Sequence, residues 1–250
     1  MLNDEHYRVT QVKPNLWAIE DIKSTEHSII YLLCGQSKAL LFDTGLGLSP
    51  VSPIVKELTK LPLIVVLSHW HFDHVGGAYE FNNVIGWKSD AMINACKNGI
   101  NLNAMNKQFD TAFWESIGHN LLQINSFSSI QLLDKEGVID LGGYSIKLLH
   151  TPGHTYDSIC LYEPKQGWLF TGDSVYPGPI YLQFEDSDIA AYQRSIVTLE
   201  KLDVTSILPG HNAILSSASL MTEIRKLLKS PSYKSQKFPN LSINMKNSSR

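Results

Sequence analysis

The chain has 250 residues, of which 43% are hydrophobic and 18% are charged, so its composition is that of a folded globular protein with a substantial core and excludes disordered and fibrous classes. Its 21 basic and 24 acidic residues leave a net charge of −3, which offers no positive field to a nucleic-acid partner. No apolar run approaches the roughly 20 residues of a bilayer span, and residues 1–10 lack the apolar core of a secretory signal. We therefore expect a cytoplasmic protein without a membrane partner.

Short apolar runs that end in small or polar residues are typical of buried strands, which deliver loops to one edge of a sheet. We predict such strands at residues 16–20, 28–34, 39–42, 63–67, 144–149, 168–170 and 206–208. The last five precede Asp43-Thr44-Gly45, Ser68-His69, Thr151-Pro152-Gly153-His154, Thr171-Gly172-Asp173 and Pro209-Gly210-His211. Polar side chains are therefore expected to gather where these strands end.

Helical spacing appears between the strands. Residues 51–61, with Pro53 near the start, and residues 189–202, with apolar residues three or four apart, are predicted to be helices. Because strands and helices alternate along the chain, the predicted class is α/β or α+β.

A long stretch between Gly77 and Leu132 carries a helical signal of its own. Apolar residues recur every four positions at Phe109, Phe113, Ile117 and Leu121. We predict a single domain at 1–229 with a helical insertion at about 86–130, whose apolar face packs into the core or forms a lid or a homodimer contact. Residues 230–250 are rich in Ser, Lys and Asn and predict a loosely ordered C-terminal tail.

A cluster of metal-ligand side chains occurs within six residues. His69, His71, Asp73 and His74 provide three imidazoles and a carboxylate, which suit Zn²⁺ and similar divalent ions. A solvated histidine-rich turn would need no further ligands, yet His154, Asp173 and His211 each follow a glycine at the end of a predicted strand. These seven residues are the predicted metal ligands.

The order HxHxDH, then His, Asp and His, resembles the metallo-β-lactamase superfamily between about Asp43 and His211. The resemblance implies a four-layer αββα sandwich of the metallo-β-lactamase fold with two divalent metal ions, zinc in the first place and iron or manganese as alternatives. It assigns His69, His71 and His154 to the first ion and Asp73, His74 and His211 to the second ion. Asp173 is assigned as the bridge between the two ions.

Several other residues have competing interpretations. Asp43 either orients a ligand histidine or caps a tight turn before Gly45, and Gly45-Leu46-Gly47 is too short a motif to predict a phosphate loop. Histidines outside the motif are expected to be structural or surface residues: His6, His27, His119 and His150. The three cysteines form no CxxC pair and are expected to be buried apolar residues: Cys34, Cys96 and Cys160.

The expected reaction is hydrolysis at an acyl carbon by a metal-bound hydroxide, with Asp73 relaying a proton to the leaving group. Residues 42–48, 158–161 and 172–176 are similar to the acyl-CoA thioesterase branch of the superfamily, which favours a small-molecule thioester substrate. Tyr176 also matches a tyrosine with which acyl-homoserine lactonases orient their substrate. Beside Asp73, it is the second predicted catalytic residue; the alternative is that it only packs as an aromatic side chain at the edge of the cleft.

Three alternatives stay open beside the thioesterase: a lactonase, a glyoxalase II-like hydroxyacylglutathione hydrolase, and a non-catalytic metal-binding scaffold. The scaffold predicts lost ligands, and none of the seven is missing. The carboxylate of Asp173 is lacking in the true β-lactamases, so antibiotic hydrolysis is disfavoured.

Overall fold

A computed structural model describes residues 5–104, 111–117, 123–229 and 241–245. The chain divides into two compact units, here called the N-terminal unit, Met1–Asp134 with Asp140–Tyr144, and the C-terminal unit, Lys135–Ile139 with Ser145–Arg250. Each unit has its own sheet and its own apolar core.

The N-terminal unit is built on a seven-stranded sheet in the order β1-β2-β3-β4-β5-β6-β9. Strands β1 to β4 pair antiparallel, and β4, β5, β6 and β9 pair parallel. The inner strand β3, with the sequence IIYLLC, is buried almost throughout, as its unbroken apolar run predicts. The bounds are β1 Tyr7–Lys13, β2 Leu16–Asp21, β3 Ile29–Cys34, β4 Ala39–Phe42, β5 Leu63–Val66, β6 Val84–Trp87 and β9 Ile130–Leu133, with the short pair β7 Ile100–Asn101 and β8 Gln123–Ile124.

The described part of this unit also contains four short helices: α1 Ser52–Leu58, α2 Phe72–Val75, α3 Asp90–Asn98 and α4 Thr111–Ser116. Pro53 lies in the first turn of α1, where its missing N–H costs nothing. The Ser89 hydroxyl caps α3 by accepting the N–H of Met92 at 2.9 Å. A 3₁₀ turn covers Ala78–Glu80.

The described residues of the predicted helical insertion, at about 86–130, include two helices, α3 and α4, and the strand pair of β7 and β8. Phe113 and Ile117 are buried in the core of the N-terminal unit, and the Phe113 ring packs edge-to-face against Phe72 at 5.9 Å. Phe109 and Leu121 lie outside the described residues. The described half of the apolar stripe therefore packs into the core.

The C-terminal unit has a five-stranded sheet in the order β10-β11-β12-β13-β15. Strands β11, β12 and β13 pair antiparallel, and β13 pairs parallel with β15. The Asp188 carboxylate caps α5 by accepting the N–H of Ala191, and the buried side of α5 includes Tyr192, Ile196 and Leu199, as the spacing predicts. The bounds are β10 Gly137–Asp140, β11 Ser145–His150, β12 Ile159–Glu163, β13 Trp168–Gly172, β15 Ser206–Pro209, α5 Ile189–Leu199 and α6 Ser219–Lys229.

A separate parallel pair joins β14, Gly178–Leu182, to β16, Leu241–Met245. Strand β16 lies inside the segment for which composition predicts a loosely ordered tail, and the rest of 230–250 lies outside the described residues. In the sequence, Leu241, Ile243 and Met245 alternate with polar residues, a period-two pattern that indicates a strand.

The predicted α/β class is confirmed, because both units combine sheets with helices. Helix α6, absent from the sequence prediction, has apolar residues at Leu220, Ile224 and Leu227, which is helical spacing. Among the described residues, no helix is both long enough and apolar enough to cross a bilayer.

Candidate metal centre

The HxHxDH motif occupies the junction between β5 and α2. His71 has extended backbone angles at the start of α2, and its carbonyl accepts the N–H groups of His74 and Val75 at 3.0 and 3.1 Å. His69 and His71 therefore lie on the irregular segment, while Asp73 and His74 lie in the helical turn. All four motif side chains are buried.

These four side chains form a compact cluster in the N-terminal unit. The ring of His69 is 4.6 Å from the ring of His71 and 4.2 Å from the ring of His74, measured between centroids. The His74 Nε2 atom lies 3.4 Å from the Asp73 Oδ2 atom. One turn of chain thus brings three imidazoles and a carboxylate together, as the motif predicts.

Asp43, at the end of β4, fixes the orientation of His74. Its Oδ2 accepts the His74 Nδ1–H at 2.9 Å, and its Oδ1 accepts the backbone N–H of Ser68 at 2.6 Å. The same residue has a left-handed backbone with φ of 65°. Asp43 therefore combines both roles considered for it, a turn residue and a side chain that holds a histidine in one tautomer.

The glycines after Asp43 allow two backbones to approach closely. The Gly76 N–H donates to the Gly45 carbonyl at 2.8 Å, and a Cβ atom added to Gly47 would lie 2.6 Å from the Gly76 carbonyl oxygen. Gly45 and Gly47 both have positive φ. Gly45-Leu46-Gly47 therefore packs the loop after β4 against the segment that follows α2.

The other three predicted ligands form a second cluster in the C-terminal unit. Asp173 lies between two histidines, with Oδ2 at 3.5 Å from the His154 Nε2 and Oδ1 at 3.3 Å from the His211 Nε2. Asp173 and His211 follow β13 and β15, whose parallel pairing brings their carboxyl ends together, and the Gly210 N–H donates to the Gly172 carbonyl. All three side chains are buried.

His154 is oriented from the opposite side of its ring. Its Nδ1–H donates to the Tyr181 carbonyl at 2.7 Å, so Nε2 carries a lone pair when the ring is neutral. The preceding Gly153 lies against the backbone of Tyr192 in α5, where a Cβ atom has no room. The ring of Phe184 packs against His154 at 5.5 Å.

Tyr176, the second predicted catalytic residue, lies beside His211 with ring centroids 5.8 Å apart. It is buried, and its hydroxyl donates to the Pro179 carbonyl at 2.5 Å. Burial first, and then the Asp173 carboxylate, raise the pKa of the phenol well above 10. In this conformation the residue packs against a candidate ligand as a neutral phenol.

The donor sets suit divalent cations. In His74 and in His154 the Nδ1–H is engaged, so the neutral ring presents the lone pair of Nε2 to a carboxylate oxygen at 3.4 or 3.5 Å. A cation between the two lone pairs would relieve their repulsion. Imidazole nitrogens and carboxylate oxygens are also the ligands that zinc and related ions prefer.

The histidines outside the motif make structural contacts where they are described. The His150 Nε2–H donates to the Tyr156 carbonyl at 2.7 Å, and burial lowers the pKa of this ring. The His27 Nδ1 contacts the Asp21 carbonyl at 3.2 Å, and His6 lies 3.7 Å from Glu5. His119 lies outside the described residues.

The cysteines match the expectation of buried apolar residues. Cys96 and Cys160 are buried and Cys34 is partly buried. Burial raises the pKa of the Cys160 thiol to about 11.

Residues 26–211 match the family model of the metallo-beta-lactamase superfamily. The acyl-coenzyme A thioesterase MBLAC2 of Homo sapiens is 28% identical over 216 residues, which cover 76% of this chain and 74% of that protein. The probable hydroxyacylglutathione hydrolase glo2 of Schizosaccharomyces pombe is 26% identical over 210 residues, which cover 81% and 70%.

A solved structure shows the same fold. An archaeal metallo-beta-lactamase superfamily protein from Sulfolobus tokodaii superposes with a TM-score of 0.63 at 19% identity, over 90% of each chain. The family match spans three quarters of the sequence and includes all seven predicted ligands. The predicted metallo-β-lactamase fold is therefore confirmed, and the chain belongs to the metallo-beta-lactamase superfamily as a hydrolase.

Proposed function

We propose that this hydrolase is a dinuclear metal-dependent thioesterase that acts on acyl-CoA or a related small-molecule thioester. The observation that carries the substrate class is the similarity to an acyl-coenzyme A thioesterase over three quarters of both chains. The reaction class is supported by the two clusters of buried imidazoles and carboxylates.

The ligand assignment follows the order of the family motif. We assign His69, His71 and His154 to the first ion, Asp73, His74 and His211 to the second, and Asp173 to both. Asp43 and the Tyr181 carbonyl support this assignment, because each engages the Nδ1 of a histidine and leaves its Nε2 for the metal. Bound divalent ions supply hydroxide at neutral pH and polarise the substrate carbonyl.

The buried Cys160 thiol is a poor candidate for the attacking group. The buried Cys160 thiol, with a pKa of about 11, is almost wholly protonated at neutral pH and does not act as a nucleophile. Asp73 is buried in the first turn of α2 beside His74, where its carboxylate is held close to the proposed ligands. We assign to it the relay of a proton from the attacking water to the departing thiolate.

A hydrolysis panel tests the proposal. Metal-loaded protein is given acyl-CoA esters, S-lactoylglutathione, an acyl-homoserine lactone and a phosphodiester, and His71→Ala is compared with His150→Ala. We expect the highest kcat/KM with acyl-CoA, near-complete loss in His71→Ala, and retention in His150→Ala, because His150 makes a structural contact. Turnover of another substrate class in preference to acyl-CoA would contradict the thioesterase assignment.

Two alternative substrates each have one supporting observation. The position of Tyr176 against His211 favours a lactonase, although the hydroxyl is engaged by Pro179 in this conformation. Similarity to the probable hydroxyacylglutathione hydrolase favours S-lactoylglutathione. The same panel separates all three substrates.

The metal identity, the cytoplasmic location and a homodimer remain predictions. Elemental analysis of protein purified without added metal tests zinc against iron and manganese, and two equivalents per chain are expected. Sedimentation at several concentrations tests the dimer.

A further inference from the structure

The segment that holds His69 to His74 is joined to α4 by a chain of aromatic contacts. Within the motif, the ring of Trp70 packs edge-to-face against His71 at 4.8 Å. The next residue, Phe72, packs against Phe113 of α4, and Phe113 packs against Trp114 at 5.4 Å. Trp114 of α4 is thus linked to Phe72 of the motif through the ring of Phe113.

Helix α4 is anchored on its other side. The Ser116 hydroxyl donates to the Phe113 carbonyl at 2.7 Å and accepts the N–H of Thr25 at 3.2 Å, which ties the end of α4 to the loop between β2 and β3. With Phe113 buried in the core, Trp114 is held in a defined place.

The two tryptophans differ from their phenylalanine neighbours in exposure. Phe72 and Phe113 are buried, whereas Trp70 and Trp114 are only partly buried and pack at the margin of the core. Part of each indole, among the largest apolar surfaces that a side chain offers, is left in contact with water. Aromatic walls beside a few polar groups are the usual composition of a ligand pocket.

We propose that Trp70 and Trp114 form an apolar subsite, which binds the hydrocarbon chain of an acyl thioester and sets chain-length preference. The inference rests on the proposed thioesterase function, because the occupant is the acyl group whose carbonyl would react beside His71. Contact between Trp70 and His71 supports this occupant, since it places apolar surface directly against a candidate metal ligand.

The expected effect follows from hydrophobic transfer. Each methylene group moved from water into an apolar site improves binding by about fourfold. Wild-type kcat/KM is therefore expected to rise along the series from acetyl-CoA to dodecanoyl-CoA. Replacing Trp114 with alanine removes part of the wall, so we expect the ratio of dodecanoyl to acetyl kcat/KM to fall at least about tenfold.

The matched variants separate binding from folding. Trp114→Phe keeps an aromatic wall and is expected to retain most of the ratio. Trp17→Ala is the control, because Trp17 is a partly buried tryptophan on the same core but lies on β2, paired with Gln11 and Leu32. It is expected to keep the wild-type ratio. An equal loss for both substrates in Trp114→Ala, or a ratio that does not change, would overturn the proposal.

A second measurement does not depend on hydrolysis. S-dodecyl-CoA and S-ethyl-CoA are thioethers without a cleavable ester, and their affinities are measured by tryptophan fluorescence below the micelle concentration. We expect dodecyl to bind more tightly than ethyl, with the preference reduced in Trp70→Ala and Trp114→Ala and kept in Trp17→Ala. Equal affinities would refute the subsite even if the thioesterase were active. A chain-length preference with no thioester hydrolysis would refute the thioesterase and retain an apolar-chain subsite.

Discussion

The substitution Asp43→Asn tests whether the tautomer of His74 is what prepares it for a metal. In the wild type, one carboxylate oxygen accepts the Ser68 N–H and the other accepts the His74 Nδ1–H. Asparagine keeps the first contact but presents an NH₂ group to Nδ1. The ring must then accept at Nδ1 and carry its proton on Nε2, the atom assigned to the metal.

The magnitude follows from the role of such contacts. Removing the partner that orients a ligand histidine typically weakens metal affinity by about 10- to 100-fold, which corresponds to about 1.4 to 2.7 kcal/mol. The fold should survive, because asparagine has the same shape and tolerates the left-handed backbone that residue 43 adopts. The loss should therefore fall on one of the two proposed ions.

The assay is a zinc titration of chelator-stripped protein in competition with a chromophoric chelator, combined with thermal unfolding followed by circular dichroism. Asp21→Asn is the matched control, because Asp21 is also buried and accepts the N–H groups of Lys23 and Ser24 as part of a turn. Its metal affinities should equal those of the wild type. If Asp43→Asn bound both zinc ions with wild-type affinity, the reasoning would be refuted.

Three further outcomes follow from the structure. Gly47→Ala should lower the free energy of unfolding in urea by about 2 to 4 kcal/mol, because the new Cβ meets the Gly76 carbonyl and the residue has positive φ. The control Gly137→Ala, with no neighbour in reach of its Cβ, should change it by less than about 0.5 kcal/mol. Equal effects of the two substitutions would contradict the close-approach argument. Burial, with a neighbouring carboxylate, raises the pKa of Tyr176 well above 10, the approximate value of an unfolded tyrosine. Because the unfolded state loses this proton first, the free energy of unfolding should fall as pH rises past about 10, and Tyr176→Phe should remove that part of the fall in chemical denaturation. An unaltered pH profile would contradict this reasoning. Cys160, with a pKa of about 11, should resist iodoacetamide at pH 8 in the native protein and react after unfolding. Peptide mapping measures the labelling, and rapid labelling of the native protein would argue against the burial of this thiol.

Secondary structure could be predicted best where the apolar pattern is strong. Strand β4 is observed at the predicted residues, and α5 begins at Ile189 as predicted but ends three residues early, at Leu199. The insertion was harder, because Phe113 and Ile117 have helical spacing, yet α4 ends at Ser116 and Ile117 lies just beyond it. Packing against Phe72, far away in the chain, determines how much of such a weak pattern becomes helix.

The four ligands of the HxHxDH motif were readable from the sequence because their spacing is local. His69, His71, Asp73 and His74 lie on one loop and one helical turn, so the chain geometry alone brings them together. The residues that prepare them are not local. The Asp43 carboxylate is 31 residues from His74, and the Tyr181 carbonyl is 27 residues from His154.

The sequence by itself therefore determined the family motif, the mixed α/β class and the identity of the candidate ligands. Each depends on residue type together with short spacing or, for His154, Asp173 and His211, with the order of residues along the chain. Only the tertiary structure decided which nitrogen of His74 and His154 faces a carboxylate, and which of the aromatic residues around the ligand loop keep an exposed surface. A backbone carbonyl such as that of Tyr181 has no side-chain signature, and the exposure of Trp114 depends on how Phe113 packs. Both are properties of contacts between distant segments, which appear only when the chain is folded.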